Sequence, residues 1–311
     1  MNEDIYTISS GMLDVGDGHQ IYYQQWGNKN SDPIFYLHGG PGGGCSNKYK
    51  KFFDPKKHNV IFHDQRGSGL STPHAEIDNN TTDKLVEDIE LLRKFLKIDQ
   101  IRIIGGSWGS CLALIYAIKH PQNVAKMLIW GIFTGAKNEV DYIQQGGLKT
   151  HFPEAWEQYI ELVPENERGD TVKFYLDKFI NGTDDEKIEF TRRWVCLEVS
   201  AMSIDADYSE TLYSVDGSDE KTRALAILEA HYFINNCFIP ENYVMDNVDI
   251  LKTIPIVMVQ GRFDHVTPPQ TAYNLSKALG ENCILQFVPA SHGREGALRE
   301  AVRAHVYNFL K

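Results

Sequence analysis

A serine lies between two glycines in GGSWG at residues 105–109, which matches the pattern Gly-x-Ser-x-Gly. The apolar stretch IRIIG at 101–105 precedes it, and a helical pattern follows at 110–120. A strand, a tight turn and a helix in this order are the context in which such a serine acts as a nucleophile. Glycines on both sides let the backbone turn sharply without side-chain clashes. The sequence therefore predicts that Ser107 attacks a carbonyl carbon.

A nucleophilic serine needs a base, and the base needs an acid that orients it. Asp264 follows the apolar stretch PIVMVQG, and His292 follows the apolar stretch ILQFVP. Each is expected just beyond the carboxyl end of a strand, and the order Ser, Asp, His fits this class of site. We predict Ser107, Asp264 and His292 as the catalytic residues.

Three other histidines compete for the role of base. His265 lies beside the predicted acid and is expected to be a loop residue. His63 and Asp64 follow a strand, but Asp64 is expected to pair with Arg66 and fix the loop DQRGSG. His38 leads the glycine run and is expected to support it. A structural role is the commoner one for a lone histidine.

The glycine run HGGPGGG at 38–44 follows the apolar stretch IFYL. It lacks the spacing of a phosphate-binding loop. A carbonyl attacked by serine develops an oxyanion, which two backbone N–H groups must stabilise. One predicted donor is Trp108, the residue after the nucleophile. The other is assigned to Gly40, with Gly39 as the alternative, because small residues let the backbone approach a substrate.

The elements that position these residues alternate between strands and helices in the first part of the chain. This alternation predicts an α/β fold with a mostly parallel sheet, whose carboxyl-end edge collects the site. Residues 135–245 read as helical, so we predict a helical cap domain there, inserted into a core of residues 1–134 and 246–311. The predicted strands are 21–26, 34–37, 60–63, 101–105, 127–131, 255–261 and 284–289; the predicted helices are 82–96, 110–120, 154–162, 171–180, 186–199, 222–234, 268–279 and 295–311.

The composition excludes several classes of protein. The net charge is -11 over 311 residues, which disfavours a nucleic-acid partner. The N-terminus lacks the apolar core of a secretory signal, and no apolar run is long enough for a membrane span. The five cysteines form neither a disulfide framework nor a zinc pattern, so we expect a cytoplasmic protein without a metal or cofactor. A monomer or small homo-oligomer is expected.

Together, HGGPGGG, DQRGSGLS, GGSWGS, GRFD and the SHG loop resemble the proline iminopeptidases, which are serine aminopeptidases of the α/β-hydrolase fold. The resemblance spans nearly the whole chain. It implies release of N-terminal proline from small peptides with a free N-terminus. It also implies that Glu198 and Glu229, from the cap, hold the amino group. A desolvated carboxylate pair is a physically reasonable partner for a charged amine.

The chain departs from the family pattern around the expected specificity pocket. Leu197 replaces a tryptophan before the first glutamate, Trp130 replaces an arginine, and DYIQ at 141–144 replaces an aromatic cluster. Phe133 and Tyr142 remain as expected walls for a proline ring. A broader aminopeptidase, cleaving after Pro, Ala or Leu, therefore stays an alternative.

Two further alternatives stay open from sequence alone. An ester hydrolase would use the same three residues without paired cap glutamates, and a non-catalytic binding protein could retain the fold. Enzymes with an aspartate nucleophile are disfavoured because the turn holds Ser107. Cys45 directly follows the glycine run, and we hypothesise that thiol reagents block access to the site there.

Overall fold

The computed structural model describes residues 5–204, 208–293 and 296–310. The strands are β1 (Thr7–Gly16), β2 (His19–Gly27), β3 (Pro33–Leu37), β4 (Asn59–His63), β5 (Ile101–Ser107), β6 (Val124–Ile132), β7 (Ile256–Gly261) and β8 (Cys283–Val288). The helices are α1 (Thr82–Phe95), α2 (Trp108–Lys119), α3 (Lys137–Gln144), α4 (Pro153–Glu161), α5 (Thr171–Asn181), α6 (Asp184–Met202), α7 (Tyr208–Ser214), α8 (Glu220–Ile234), α9 (Tyr243–Asp246), α10 (Val248–Leu251), α11 (Pro269–Leu279) and α12 (Gly296–Asn308).

The eight strands form one sheet in the order β1-β2-β4-β3-β5-β6-β7-β8. The pairs β1–β2 and β2–β4 are antiparallel, and the remaining pairs are parallel. The predicted mostly parallel sheet is confirmed. Strand β1 was not predicted, because its residues alternate between exposed and half-buried at the sheet edge and form no apolar run.

Both faces of the sheet are covered, which explains why its central strands read as continuous apolar runs. Phe35 and Ile103 pack on one face with helices α1, α2 and α11. Tyr36 and Ile104, each the next residue in its strand, pack on the other face with α12 and the short 3₁₀ helix Asn47–Phe52. Neighbouring residues face opposite ways in a strand, so β3 and β5 are held rigidly from both sides. This rigidity fixes the loops at their carboxyl ends.

The chain between β6 and β7 contains helices α3 to α10 and no strand among its described residues. We call residues 135–245 the cap. Helix α8 of the cap packs against α5 and α6. The division into a core and a separate cap domain stays a prediction. Among the described residues, no helix is both long enough and apolar enough to cross a membrane.

Candidate active site

Ser107 is the last residue of β5, and α2 begins at the next residue. Its backbone has φ 58° and ψ −128°, a conformation that residues other than glycine rarely adopt. A Cβ on Gly105 would lie 2.5 Å from the carbonyl oxygen of Gly109, and one on Gly109 would lie 2.2 Å from that of Leu37. Both positions therefore require glycine. The strained turn presents the Ser107 side chain at the edge of the sheet.

The structure brings His292 to Asp264. Asp264 follows β7, His292 follows β8, and Nδ1 of His292 lies 2.8 Å from Oδ2 of Asp264. The Asp264 side chain is fully buried, and that of His292 is 5% exposed. Because the carboxylate accepts, Nδ1 of His292 carries the proton in this pair. Nε2 is then left as the ring nitrogen that can act as a base.

Residues that were not predicted hold the Asp264 carboxylate in place. Its Oδ1 accepts from the backbone N–H groups of Val266 (3.0 Å) and Thr267 (2.8 Å). Its Oδ2 accepts from the Thr267 hydroxyl and from Nε2 of Gln260, each at 3.0 Å. Sequence signals were present: Asp readily accepts from the backbone two or three residues on, and Gln260 is a polar residue inside an apolar strand.

Gly131 was also not predicted, and it packs on the ring of His292. Its φ is 53°, in the left-handed region that favours glycine. A Cβ at this position would lie 2.8 Å from Cε1 of His292 and 3.1 Å from Nδ1. The only sequence signal was a glycine at the carboxyl end of an apolar strand. Gly131 makes room for the histidine ring.

The other histidines have structural environments. The N–H of Gln65 donates to Nε2 of His38 (3.0 Å), so Nδ1–H of His38 donates to the carbonyl of Gly39 (2.9 Å). His63 is buried, and desolvation lowers its pKa to about 3, which keeps its ring neutral. The ring of His265 lies against that of His151, with centroids 4.2 Å apart and planes inclined by 43°.

The predicted ion pair between Asp64 and Arg66 is wrong. Arg66 pairs instead with Asp88 of α1, with Nε and Nη2 each 2.8 Å from a carboxylate oxygen. Asp64 accepts from the backbone N–H groups of Cys45 and Leu70. The carboxylate of Asp64 thus links the residue after the glycine run, Cys45, to the loop DQRGSG. The guanidinium of Arg66 binds helix α1 instead of its own loop.

A cavity of about 200 Å³ lies between the sheet edge and the cap. Predicted residues from both parts of the chain line it: Gly39, Gly40, Ser107, Glu198, Glu229 and His292. Tyr36, Tyr49 and Trp130 add aromatic lining, and Val195, Val199, Met202 and Leu225 add aliphatic lining from α6 and α8. The predicted nucleophile, base and amine-binding glutamates therefore face one space.

A much smaller space of about 10 Å³ adjoins this cavity and shares Gly40, Ser107, Glu198 and Glu229 with it. Its other walls are Phe133, Ile143, Phe233, Val266 and Thr267. Phe133, one of the two predicted walls, is thus among the residues that line this smaller space, and its role towards a substrate stays a prediction. Tyr142 lies on α3 and is not among the residues lining either space; the next residue, Ile143, lines the smaller one.

Glu198 on α6 and Glu229 on α8 hydrogen-bond to each other through their carboxyl groups. Glu229 is buried, and its Oε2 accepts from Nε1 of Trp194 at 2.8 Å. Burial and the neighbouring carboxylate raise the pKa of Glu229 well above its usual value, and burial raises the pKa of Glu198. Glu198 is half-buried, and two adjacent carboxyls with restricted access to water resist double ionisation, so the pair retains a proton more readily than free glutamates do.

The backbone of the glycine run lies against the nucleophile. A Cβ on Gly39 would lie 3.4 Å from Cβ of Ser107, and Gly40 has φ 115°. The indole Nε1 of Trp108 donates to Oε1 of Gln65 (2.9 Å), and Nε2 of Gln65 donates to the carbonyl of His38 (3.0 Å). Gln65, which was not predicted, therefore links the residue after the nucleophile to the glycine run. The two oxyanion donors stay a prediction.

Cys45 is half-buried, and its thiol donates to the carbonyl of His63 at 3.2 Å. It is not among the residues that line the two spaces at the nucleophile. Its role in access stays a prediction.

Within residues 5–204, 208–293 and 296–310, no group of three or more His, Cys, Asp or Glu side chains is placed to hold a metal ion.

Comparisons with known proteins point to one group of enzymes. A family model described as the alpha/beta hydrolase fold matches residues 32–293. A probable proline iminopeptidase of Leptolyngbya boryana is 42% identical over 289 residues, which cover 93% of this chain and 89% of that protein. The proline iminopeptidase of Arabidopsis thaliana is 41% identical over 280 residues, covering 89% and 73%. A solved proline iminopeptidase of Mycobacterium smegmatis has a TM-score of 0.61 at 18% identity, over 97% of both chains.

Proposed function

This chain belongs to the proline iminopeptidases of the α/β-hydrolase fold, and we propose on that basis that it is a serine aminopeptidase acting on small peptides. It releases the N-terminal residue, preferentially proline. The observation that supports this activity most directly is the pair of glutamates, Glu229 buried and Glu198 half-buried, in the same cavity as Ser107. An exopeptidase must recognise a charged α-amine close to the reacting carbonyl, and buried carboxylates provide that recognition.

In the proposed reaction, Glu198 and Glu229 bind the ammonium group of the first residue. Ser107 Oγ attacks the first carbonyl carbon while Nε2 of His292 takes the hydroxyl proton, and Asp264 stabilises the imidazolium that forms. Backbone N–H groups of Gly40 and Trp108 stabilise the oxyanion. The C–N bond then breaks, and the imidazolium gives its proton to the leaving amine.

The second half of the reaction repeats these roles with water. His292 removes a proton from a water molecule, and the hydroxide attacks the ester carbonyl of the acyl-enzyme. Collapse of the second tetrahedral intermediate breaks the bond to Ser107 Oγ, which takes the proton back from His292. The free amino acid leaves with its amine released from Glu198 and Glu229. Each proton and bond in this cycle is accounted for by the three side chains and water.

Preference for proline is supported by the small space beyond the glutamates. Phe133, Phe233, Ile143 and Val266 form apolar walls around it. Its volume of about 10 Å³ is close to what one water molecule needs, so a residue can enter only if these walls move apart. A compact ring or a methyl group requires less movement than a leucine side chain. Because a proline ring also buries more apolar surface against these walls than a methyl group does, we expect proline to be preferred to alanine, and alanine to leucine.

Three chromogenic substrates test the proposal: prolyl-p-nitroanilide, its N-acetylated form, and p-nitrophenyl acetate. The proposal expects fast cleavage of the free-amine anilide and little cleavage of the acetylated one, with no activity in Ser107→Ala. Equal cleavage of both anilides, or reaction of the ester alone, would favour the ester-hydrolase alternative. Alanyl- and leucyl-p-nitroanilide, compared by kcat/KM, test the expected order of side chains.

A further inference from the structure

Helix α6 of the cap ends against the loop that carries the predicted base. The carbonyl oxygen of Met202, the last residue of α6, accepts from the Ser291 hydroxyl at 2.6 Å and from the Gly293 N–H at 2.8 Å. These two donors flank His292 in sequence. Carbonyl groups in the last turn of a helix lack intrahelical partners, so the Met202 carbonyl takes its hydrogen bonds from the loop after β8 instead. The contact joins the helix end to the histidine loop.

The same helix carries the proposed amine anchor one turn earlier. Glu198 precedes Met202 by four residues, which corresponds to about 6 Å along the helix axis. Because an α-helix is rigid over one turn, a bond that fixes the Met202 carbonyl also fixes the position of Glu198. Both Glu198 and His292 line the main cavity. The two bonds therefore set the spacing between the amine anchor and the base.

We propose that Ser291 and Gly293 are positioning residues that fix this spacing and so direct cleavage to the first peptide bond. The inference rests on the proposed aminopeptidase function. Successive Cα atoms are 3.8 Å apart, so the distance from amine anchor to base must match one residue. An error of about 1 Å in the position of a reacting group can cost about 10²-fold in rate.

Gly293 is suited to this contact because it has no side chain. A Cβ at residue 293 would lie 2.8 Å from the Met202 carbonyl oxygen, closer than real Cβ atoms approach. Any larger residue would push the end of α6 away from the loop. The Ser291 hydroxyl adds a second bond to the same acceptor, from the other side of His292.

His292 itself does not depend on these bonds. Asp264 and Thr267 contact its Nδ1, and Gly131 packs on its ring. The loop is also tied to the core, because the N–H of Phe263 donates to the carbonyl of Ala290 at 3.0 Å. Loss of the Ser291 hydroxyl should therefore release the end of α6 while the base stays in place.

The test compares two reactions in Ser291→Ala. Hydrolysis of prolyl-p-nitroanilide uses the amine anchor, whereas labelling of Ser107 by a small alkyl fluorophosphonate uses the nucleophile, its base and the oxyanion donors but no amine-binding group. Loss of one hydrogen bond should lower kcat/KM for the anilide about 2- to 12-fold, with the labelling rate within about twofold of wild type. Ser291→Thr keeps the hydroxyl and should restore the anilide activity.

Two further variants complete the experiment. Gly293→Ala should show the same selective loss, larger than that of Ser291→Ala. Ser276→Ala is the matched control, because its hydroxyl also donates to a backbone carbonyl, that of Tyr273 (2.8 Å), but within helix α11 and outside the cavity. It should change neither rate.

Two outcomes would overturn the inference: equal losses in hydrolysis and labelling, or no loss in either. Failure of the proposed function is seen separately. It would appear in the wild-type protein, as equal cleavage of free and N-acetylated prolyl-p-nitroanilide, before any variant is compared.

Discussion

Replacing Glu229 with glutamine separates the charge of the carboxyl pair from its shape. Glutamine matches a protonated glutamate in size, and its carbonyl can still accept from Nε1 of Trp194. Its amide NH₂ can donate to Glu198, as a protonated Glu229 does. The variant should therefore keep the cavity. It loses the ability to become a second carboxylate when a substrate ammonium enters.

The size of the loss follows from the interaction of one charge with the bound amine. Two unit charges 4 Å apart attract by about 4 kcal/mol at an effective dielectric constant of 20. The glutamine carbonyl retains a hydrogen bond to the ammonium, which recovers about 1.5 kcal/mol. The net loss of about 2.5 kcal/mol corresponds to a decrease of roughly 60-fold in kcat/KM for prolyl-p-nitroanilide.

The effect of Glu229→Gln on stability should have the opposite sign. Burial raises the folded-state pKa of Glu229 above its unfolded value. The wild-type protein therefore binds more protons when folded, and its free energy of unfolding falls as pH rises from the unfolded pKa through the raised pKa. Glutamine does not titrate. The variant should match wild type near pH 4 and be more stable than wild type at pH 8.

The assay measures kcat/KM from pH 5 to 9 and urea unfolding at pH 4 and 8. Glu157→Gln is the matched control, since Glu157 is an exposed residue on α4 of the same cap, and it should change neither quantity. Unchanged activity in Glu229→Gln would refute the amine-anchoring role. A parallel loss of activity and stability at both pH values would show that the pair holds the cap together instead.

Three further predictions concern other parts of the molecule. Gly131→Ala should lower kcat about 10²-fold, because its Cβ would meet the His292 ring at 2.8 Å; unchanged kcat would contradict this. Burial opposes ionisation of Glu90, but hydrogen bonds from Arg93, Tyr116 and Asn123 lower its pKa to about 2. Glu90→Gln should therefore be less stable than wild type in urea at pH 7, with the gap closing as pH falls from 4.5 towards 2. Cys45→Ser should reduce inhibition by a bulky maleimide; equal sensitivity would exclude Cys45 as its target.

The sequence was sufficient to predict the placement of residues whose position depends only on the strand that precedes them in the chain. Ser107, Asp264 and His292 each follow an apolar strand directly, so the parallel sheet brings their loops to one edge. The four longest helices of the cap, α4, α5, α6 and α8, were recognisable from their spacing of apolar residues, whereas the short helices α3, α7 and α9 were not. Glu198 and Glu229 were placed only by resemblance to a family, because nothing local distinguishes them from glutamates on a solvated helix face.

What could not be predicted depends on contacts between distant segments. The choice of Asp88 rather than Asp64 as the partner of Arg66 is decided by how α1 packs on the core. The need for glycine at Gly131 arises only because the histidine loop passes beside it. Edge strand β1 buries too few of its residues to show the alternation of apolar and polar residues that would predict a strand. In each case the determining group is far away along the chain.

The cap is held to the site at a second point, through α8 and the glycine run. Gly42 has φ 100°, and a Cβ there would lie 3.0 Å from Cβ of Leu228 and 3.1 Å from the carbonyl oxygen of Ala224. The residue after Leu228 is Glu229, so the close packing that requires a glycine in HGGPGGG also sets the depth of the second glutamate. One cap helix thus rests on the loop of the proposed oxyanion donors, and the other on the loop of the base. In the proposed function the glycine run therefore serves two purposes, because the lack of side chains that brings its backbone to the nucleophile also brings the proposed amine-binding Glu229 close to the site.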